Sequence, residues 1–268
     1  MMILAVDIGN TQTCVGAFKN DSNELKSLWR FSTPEKITVD EATSHFIQII
    51  EQSDFSVEVV TAVCISCVVP SLTVFYTKAI NAFIQKRNLD VKFVVCNAEN
   101  SQKLDKNLYD CQYAHPNEVG GDIIATCVAA RVLYDMPCAI IDFGTATNIN
   151  VINSKGEFVG AIISPGLKTS LNALVADAGA LSDIEIKVPS KLLGNSTPEL
   201  IQSGSIIGEA ARADGFIDRI EEDLGEKVNV ICTGGWSKLL HSEMKHDVIW
   251  NPSLILQGLK IFVENFDA

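Results

Sequence analysis

Two aspartates, one in each half of the chain, open the same short pattern. Asp7 is followed by Gly9 and Thr11, and Asp142 by Gly144 and Thr145, the second threonine one residue tighter. In both copies an apolar run ends on the aspartate and a second apolar run follows. A polar turn (Lys19 to Ser22; Asn153 to Gly156) then leads into a third. The separation of 135 residues (142 − 7) is close to half of 268, which marks an internal repeat at half-chain scale. An apolar strand that ends in Asp and turns on Gly brings backbone N–H groups and a Thr hydroxyl close to a phosphate. Its carboxylate repels phosphate, so it implies a bridging cation or an ordered water. Two such turns facing each other across a cleft would hold a triphosphate from both sides. A lone D-G is a hairpin-turn signal; two copies in the same strand–turn–strand setting point to a nucleotide.

A third aspartate suggests a different role. Asp122 follows Val119-Gly120-Gly121 and precedes IIATCVAARVLYD, whose alanines and apolar spacing predict a helix. This places Asp122 at a helix N-cap, with two glycines that let the backbone approach something closely. Phosphorylating an alcohol needs a carboxylate in reach of the O–H and phosphate positioned on the other side. The structural alternative for Asp122 is capping alone.

The elements that must position these residues read off in order. Residues 3–7, 13–18 and 26–31 are three strands, and Thr38-Val39-Asp40-Glu41 caps a helix. Residues 59–69 form a buried strand that stops at Pro70, Ser71 caps a helix through about Arg87, and 91–97 form another strand. Residues 97–118 turn polar and mark the boundary between halves, 1–115 and 116–268. The triple strand then repeats at 138–142, 147–152 and 157–163, followed by a helix from about Lys168 to Asp177. Thr197 with Glu199 opens a long helix. A strand at 228–235 runs into Gly234-Gly235, and a helix from about Ser253 to Phe266 ends the chain. The mixture is an α/β fold with helices on the faces of mixed sheets.

Composition bounds the function. A net charge of −12 argues against a nucleic-acid or anionic-membrane surface. With 47% hydrophobic residues the chain can bury a large core, yet no apolar run approaches the roughly 18 residues of a membrane span. The N-terminus MMILAVDIGN lacks a basic region and reads as a first strand, not a signal peptide. Most of the eight cysteines sit in apolar strand-like runs and behave as small hydrophobes, and the lone C-x-x-C of Cys64 and Cys67 is weak support for a metal. The chain reads as cytoplasmic and reduced. His45, His241 and His246 read as surface residues, and Trp29, Trp236 and Trp250 as packing residues.

These blocks together resemble the type III pantothenate kinases, over essentially the whole chain. The resemblance rests on DIGNT at 7–11, SCVVPSLT at 66–73, YAHPNEVGGD at 113–122 and DFGTAT at 142–147. It continues through GAIISPGL at 160–167, GNSTPELIQSG at 194–204, TGG at 233–235 and SLILQGL at 253–259. It implies duplicated actin-like (ribonuclease H-like) domains, each a mixed sheet flanked by helices, with a central nucleotide cleft. It implies ATP-dependent phosphorylation of pantothenate by a homodimer, with a monovalent cation (potassium or ammonium) and magnesium accompanying ATP. Residue by residue, Asp7, Ile8, Gly9, Asn10, Thr11, Gln12, Thr13 and Cys14 match the ATP phosphate loop, and Thr145 a second ATP contact. Asp142 matches the cation ligand and Asp122 the proton acceptor. Tyr113, Gly120, Gly121, Asp122, Ile123 and Thr197 fall on the pantothenate side. Two positions depart from the pattern: Ile123 stands where the family carries Arg after the catalytic Asp, and Asn150 where an acidic residue is frequent. A guanidinium at 123 would suit the substrate carboxylate, so two other readings stay open. One is a non-catalytic nucleotide-binding relative; the other is a kinase of the same fold acting on another small hydroxyl compound.

Overall fold

The computed structural model describes residues 1–178 and 184–266. The chain forms two compact units, and neither is continuous in sequence.

The first unit opens with β1 (Met2–Ile8), β2 (Gln12–Lys19) and β3 (Leu25–Ser32), followed by α1 (Val39–Glu51), β4 (Val60–Cys67), α2 (Pro70–Lys86), β5 (Lys92–Val95) and the single turn α3 (Ala98–Ser101). Its sheet has the order β3-β2-β1-β4-β5, antiparallel across β1–β3 and parallel from β1 to β5. α1 starts where a capping box dictates. Thr38 Oγ1 accepts the N–H of Glu41 at 3.2 Å, and the Glu41 carboxylate accepts the N–H of Thr38 at 2.8 Å. α2 starts differently from expectation: Pro70 occupies its first position and no side chain caps it, so Ser71 is an interior residue.

The second unit contains β6 (Asp110–Cys111) at its boundary. After α4 (Gly121–Leu133) come β7 (Cys138–Phe143), β8 (Ala146–Ile152), β9 (Glu157–Pro165), α5 (Leu167–Ala178) and α6 (Thr197–Gln202). Then follow α7 (Gly208–Leu224), β10 (Asn229–Thr233), α8 (Ser237–Leu240), β11 (Val248–Trp250) and, closing the chain, α9 (Leu254–Glu264). A π-helical stretch, Ser203–Ile207, joins α6 to α7, so the long helix expected after Thr197 carries a π-bulge. The sheet order is β11-β10-β7-β8-β9-β6. Apart from the added edge strand β6, it repeats the first sheet strand for strand, with β9-β8-β7-β10-β11 in place of β3-β2-β1-β4-β5.

Each unit has its own core. In the first, Leu4, Val6, Ile8, Val63 and Ile65 face Phe46, Ile49, Leu72 and Tyr76 of α1 and α2. Alternation then turns Ala5, Asp7, Cys64 and Ser66 to the other face, where α4 and α9 lie. The same alternation puts Cys64 and Cys67 on opposite faces of β4, which removes the C-x-x-C as a chelate. None of the eight cysteines, all within the described residues, is joined in a disulfide. In the second unit Ala139, Ile141, Phe143 and Cys232 pack against Ala213, Ile217 and Ile220 of α7.

The units differ from a cut at 115/116. Residues 114–133 and those from Ser253 on belong with the first sheet. The reason lies in α4 and α9, which are buried nearly all round and need each other as well as the sheet. Gly258 makes their contact possible, because a Cβ there would overlap the carbonyl of Ala125. No helix among the described residues is long and apolar enough to cross a membrane.

Gly258→Ala is therefore expected to lose about 2–3 kcal/mol of stability, a severe overpacking. Gly215→Ala, in the interior of α7 with open space around it, should gain about 0.5–1 kcal/mol. Urea unfolding of the two variants checks both signs.

Candidate active site

In the first unit three adjacent parallel strands end side by side on the face covered by α4. Asp7 of β1 lies in register with Ser66 of β4. Cys96, just past β5, donates its N–H to the Ile65 carbonyl at 2.7 Å. The carboxyl ends of parallel strands are where α/β sheets bind ligands. The start of α4 rests on this ledge, and Cys96 Sγ donates to the Gly121 carbonyl at 3.3 Å. A Cβ on Gly121 would overlap the Cys96 carbonyl oxygen and lie 3.0 Å from Ser66 Oγ. A Cβ on Gly120 would stand 2.5 Å from Asp122 Oδ1. Close approach of backbone thus requires a glycine at 121, whereas at 120 a Cβ would meet only the carboxylate end of the Asp122 side chain.

Asp122 is not the helix cap. Gly120 supplies the first helical acceptor, taking the Ile124 N–H at 3.1 Å, and Asp122 sits inside the first turn. Its Oδ1 accepts the Ile123 N–H at 2.9 Å. The carboxyl is pushed above its ordinary range by burial, and bonds from the N–H groups of Ile123 and of Asp122 itself only partly offset this. The Cys96 thiol is pushed far up by burial, with Cys64, Asp122 and Asp7 adding to the shift.

The phosphate-loop candidates continue from the same strand. Gly9 donates to the Gln12 carbonyl at 3.1 Å and closes the turn. Ile8 and Thr13 anchor it from inside, both fully buried, and the Thr13 hydroxyl pairs with Thr33 at 2.9 Å. The Thr33 N–H also holds the Thr11 carbonyl at 3.0 Å. Asn10, Thr11 and Gln12 are left exposed, while Cys14 is half-buried with its thiol raised by burial and by Asp7.

The second unit repeats the turn with one residue fewer. Asp142 lies in register with Asn148 on one side and Thr233 on the other. Gly144 donates to the Ala146 carbonyl at 3.1 Å. The exposed Thr145 is fixed through its carbonyl, which accepts the Gly166 N–H at 3.2 Å and the Thr169 hydroxyl at 2.6 Å. Gly234, at φ 94°, fits a space beside Asp142 that a Cβ would fill, and the Trp236 N–H donates to the Phe143 carbonyl at 3.0 Å. Behind the turn, Thr147 donates to the buried Glu209 at 2.6 Å; Arg212 pairs with Glu209 and donates to the Pro165 carbonyl at 2.7 Å.

The pantothenate-side candidates divide between the units. Gly120, Gly121, Asp122 and Ile123 belong to the first, and Tyr113 and Thr197 to the second. Tyr113 is exposed, its ring 6.4 Å from that of Phe158, and Thr197 is the exposed first residue of α6. Asn150 is buried and bonds Asn148 at 3.0 Å. Glu209 and Arg212 were not singled out in the sequence, and Ser66 and Thr233 stood only as the first residues of the SCVVPSLT and TGG blocks; strand register pairs each with an aspartate. None of the three histidines assigned to the surface is fully exposed. His45 packs on Phe31, His241 stacks on Trp250, and His246 lies between Asp214 and Asp218.

A family model for type III pantothenate kinase matches residues 3–219. A type III pantothenate kinase of Frankia alni is 34% identical over 264 residues, covering 98% of this chain and 99% of that protein. The corresponding protein of Exiguobacterium sibiricum is 35% identical over 263 residues, with 98% and 99% covered. The chain belongs to the type III pantothenate kinase family. Among solved structures, the activator of the 2-hydroxyisocaproyl-CoA dehydratase from Clostridium difficile, with bound ADPNP, aligns with a TM-score of 0.56 at 12% identity. That alignment covers 100% of this chain and 95% of the activator, and it shows the shared fold. Within the chain, the turns at Asp7 and Asp142 are the nucleotide and cation candidates named from the sequence. The other cluster of potential metal ligands among the described residues, Asp218, Glu221 and His246, lies on α7 and the loop after α8, and Glu221 there is paired with Lys227.

Burial of Asp122 has a consequence for stability. A carboxyl raised above its ordinary value of 3.8 makes the folded state lose stability as pH rises from that value through the folded one. Asp122→Asn should therefore melt higher than the wild-type kinase near pH 7, with the advantage shrinking towards about pH 4. Melting curves of both proteins across that range check the sign.

Proposed function

We propose that this chain transfers the γ-phosphate of ATP to the primary hydroxyl of pantothenate, giving 4′-phosphopantothenate in the first step of coenzyme A synthesis. The observation that carries this reading is the family match, which spans nearly the whole chain. Asp122 is the general base. It takes the hydroxyl proton as that oxygen attacks the γ-phosphorus and the bond to the β-phosphate oxygen breaks. A carboxylate with a raised pKa is better matched to this task than an ordinary one. The turn from Gly9 to Thr13 presents N–H and hydroxyl groups to the phosphates, and Thr145 provides a further ATP contact.

The donor sets fit the expected ions. Asp7, beside the buried hydroxyl of Ser66, suits a hydrated magnesium ion, which when bound would draw charge from the transferred phosphate. Asp142 offers the oxygen donor that a potassium or ammonium ion takes. Tyr113, Gly120, Gly121, Ile123 and Thr197 contact pantothenate. The enzyme works as a homodimer in the cytoplasm. Val159 and Ile163, exposed on one face of β9, suit contact with a second copy, and eight cysteines without a disulfide suit a reducing compartment. Ile123 favours one further reading, a kinase for a small alcohol without a carboxylate, because no cation stands at that position.

Incubating the purified protein with ATP and pantothenate, with and without potassium or ammonium, tests the assignment. Mass spectrometry should find 4′-phosphopantothenate, and the rate should fall when the monovalent cation is removed. Bound ATP without that product would turn the assignment towards the other alcohol. Ile123→Arg should lower the KM for pantothenate by about tenfold to a hundredfold, the worth of one charge-assisted hydrogen bond. Its kcat should stay unchanged in steady-state assays.

A further inference from the structure

Ser66 has no packing reason to be a serine. It is fully buried at the end of β4, and its hydroxyl oxygen has no hydrogen-bond partner among the described residues. A buried hydroxyl left in that state costs free energy that alanine would not. The hydroxyl lies at the start of α4, 3.0 Å from where a Gly121 Cβ would be and one residue from Asp122, and Ser66 is the register neighbour of Asp7. The second half of the duplication keeps the arrangement. Thr233, also a buried hydroxyl residue, is the register neighbour of Asp142. The strands carry the same short pattern, Val63-Cys64-Ile65-Ser66 and Val230-Ile231-Cys232-Thr233, and each places a hydroxyl beside the aspartate near the end of the central strand.

We propose that Ser66 is a positioning residue of the phosphoryl-transfer site, whose hydroxyl bonds the water shell of the divalent cation that enters with ATP beside Asp7. The inference rests on the kinase reading above and deepens it. Magnesium gives up its waters reluctantly and is held largely through them, so a neutral hydroxyl that can donate or accept suits the position. The carboxylate of Asp7 supplies the charge, and Ser66 fixes the orientation of what that charge attracts.

The test uses the full-length protein, the non-hydrolysable analogue ADPNP and magnesium chloride, with melting temperature as the readout. Wild-type protein is titrated with magnesium at fixed ADPNP, and Ser66→Ala is treated in the same way. Ligand-free Ser66→Ala should melt at or above the wild type, because an unpartnered hydroxyl has been removed. Its magnesium requirement for half-maximal stabilisation should rise by roughly threefold to tenfold, the worth of one neutral hydrogen bond. Stabilisation by ADPNP without magnesium should not change. Equal magnesium requirements in the two proteins would overturn the proposal and leave the kinase reading intact. A ligand-free variant that melts well below the wild type would also overturn it, by showing Ser66 to be structural. A wild-type protein with no magnesium-dependent stabilisation would sink both the proposal and the assignment of Asp7.

Discussion

The first unit depends on how closely a helix can approach the ends of a sheet, and Gly121 decides that distance. With no Cβ there, the start of α4 settles onto the Cys96 carbonyl and the Ser66 hydroxyl. Asp122 is carried into a half-buried position by the same contact, and the desolvation raises its pKa. A packing constraint thereby becomes an electrostatic one and then a chemical one: a carboxylate kept from easy ionisation is a better proton acceptor at neutral pH. The close contact of Gly258 with Ala125 holds α4 one turn further on, so the position of Asp122 is supported by a second glycine far from it in sequence.

The duplication shows one architectural solution used twice with different details. Both sheets place an aspartate at the end of their central strand, pair it with an antiparallel strand, and put a hydroxyl residue on its parallel neighbour. The turns then diverge. The first closes from Gly9 to Gln12 and leaves three exposed residues, which suits a loop that wraps phosphates. The second closes from Gly144 to Ala146 and is buttressed by Gly166, Thr169 and Gly234, which makes it a tighter fixture around one aspartate and one threonine.

Much of this was legible in the sequence because it is carried by local pattern. The repeated D-x-G turns, the capping box at Thr38 and the paired glycines before Asp122 are all short-range signals, and the structure contains each of them. What stayed hidden depends on partners distant in sequence. Asp122 reads as a cap until Gly120 is seen to accept the first helical N–H. Nothing local in α9 says that it belongs with the first sheet, since only the surface of α4 explains that. Ser66 opens the SCVVPSLT block without a role of its own, and only its register with Asp7 gives it one. His246 looks like a surface residue in a polar loop, yet two aspartates of α7 enclose it.

The central claim is that Asp122 is the base and not a structural residue of the helix start. The most direct measurement is kcat for Asp122→Asn with pantothenate, set beside the ATP affinity of the same preparation. A base at Asp122 predicts a fall in kcat of about 10²- to 10⁴-fold, with ATP binding retained. Undiminished turnover would contradict it, and the proton acceptor would then have to be sought elsewhere in the chain.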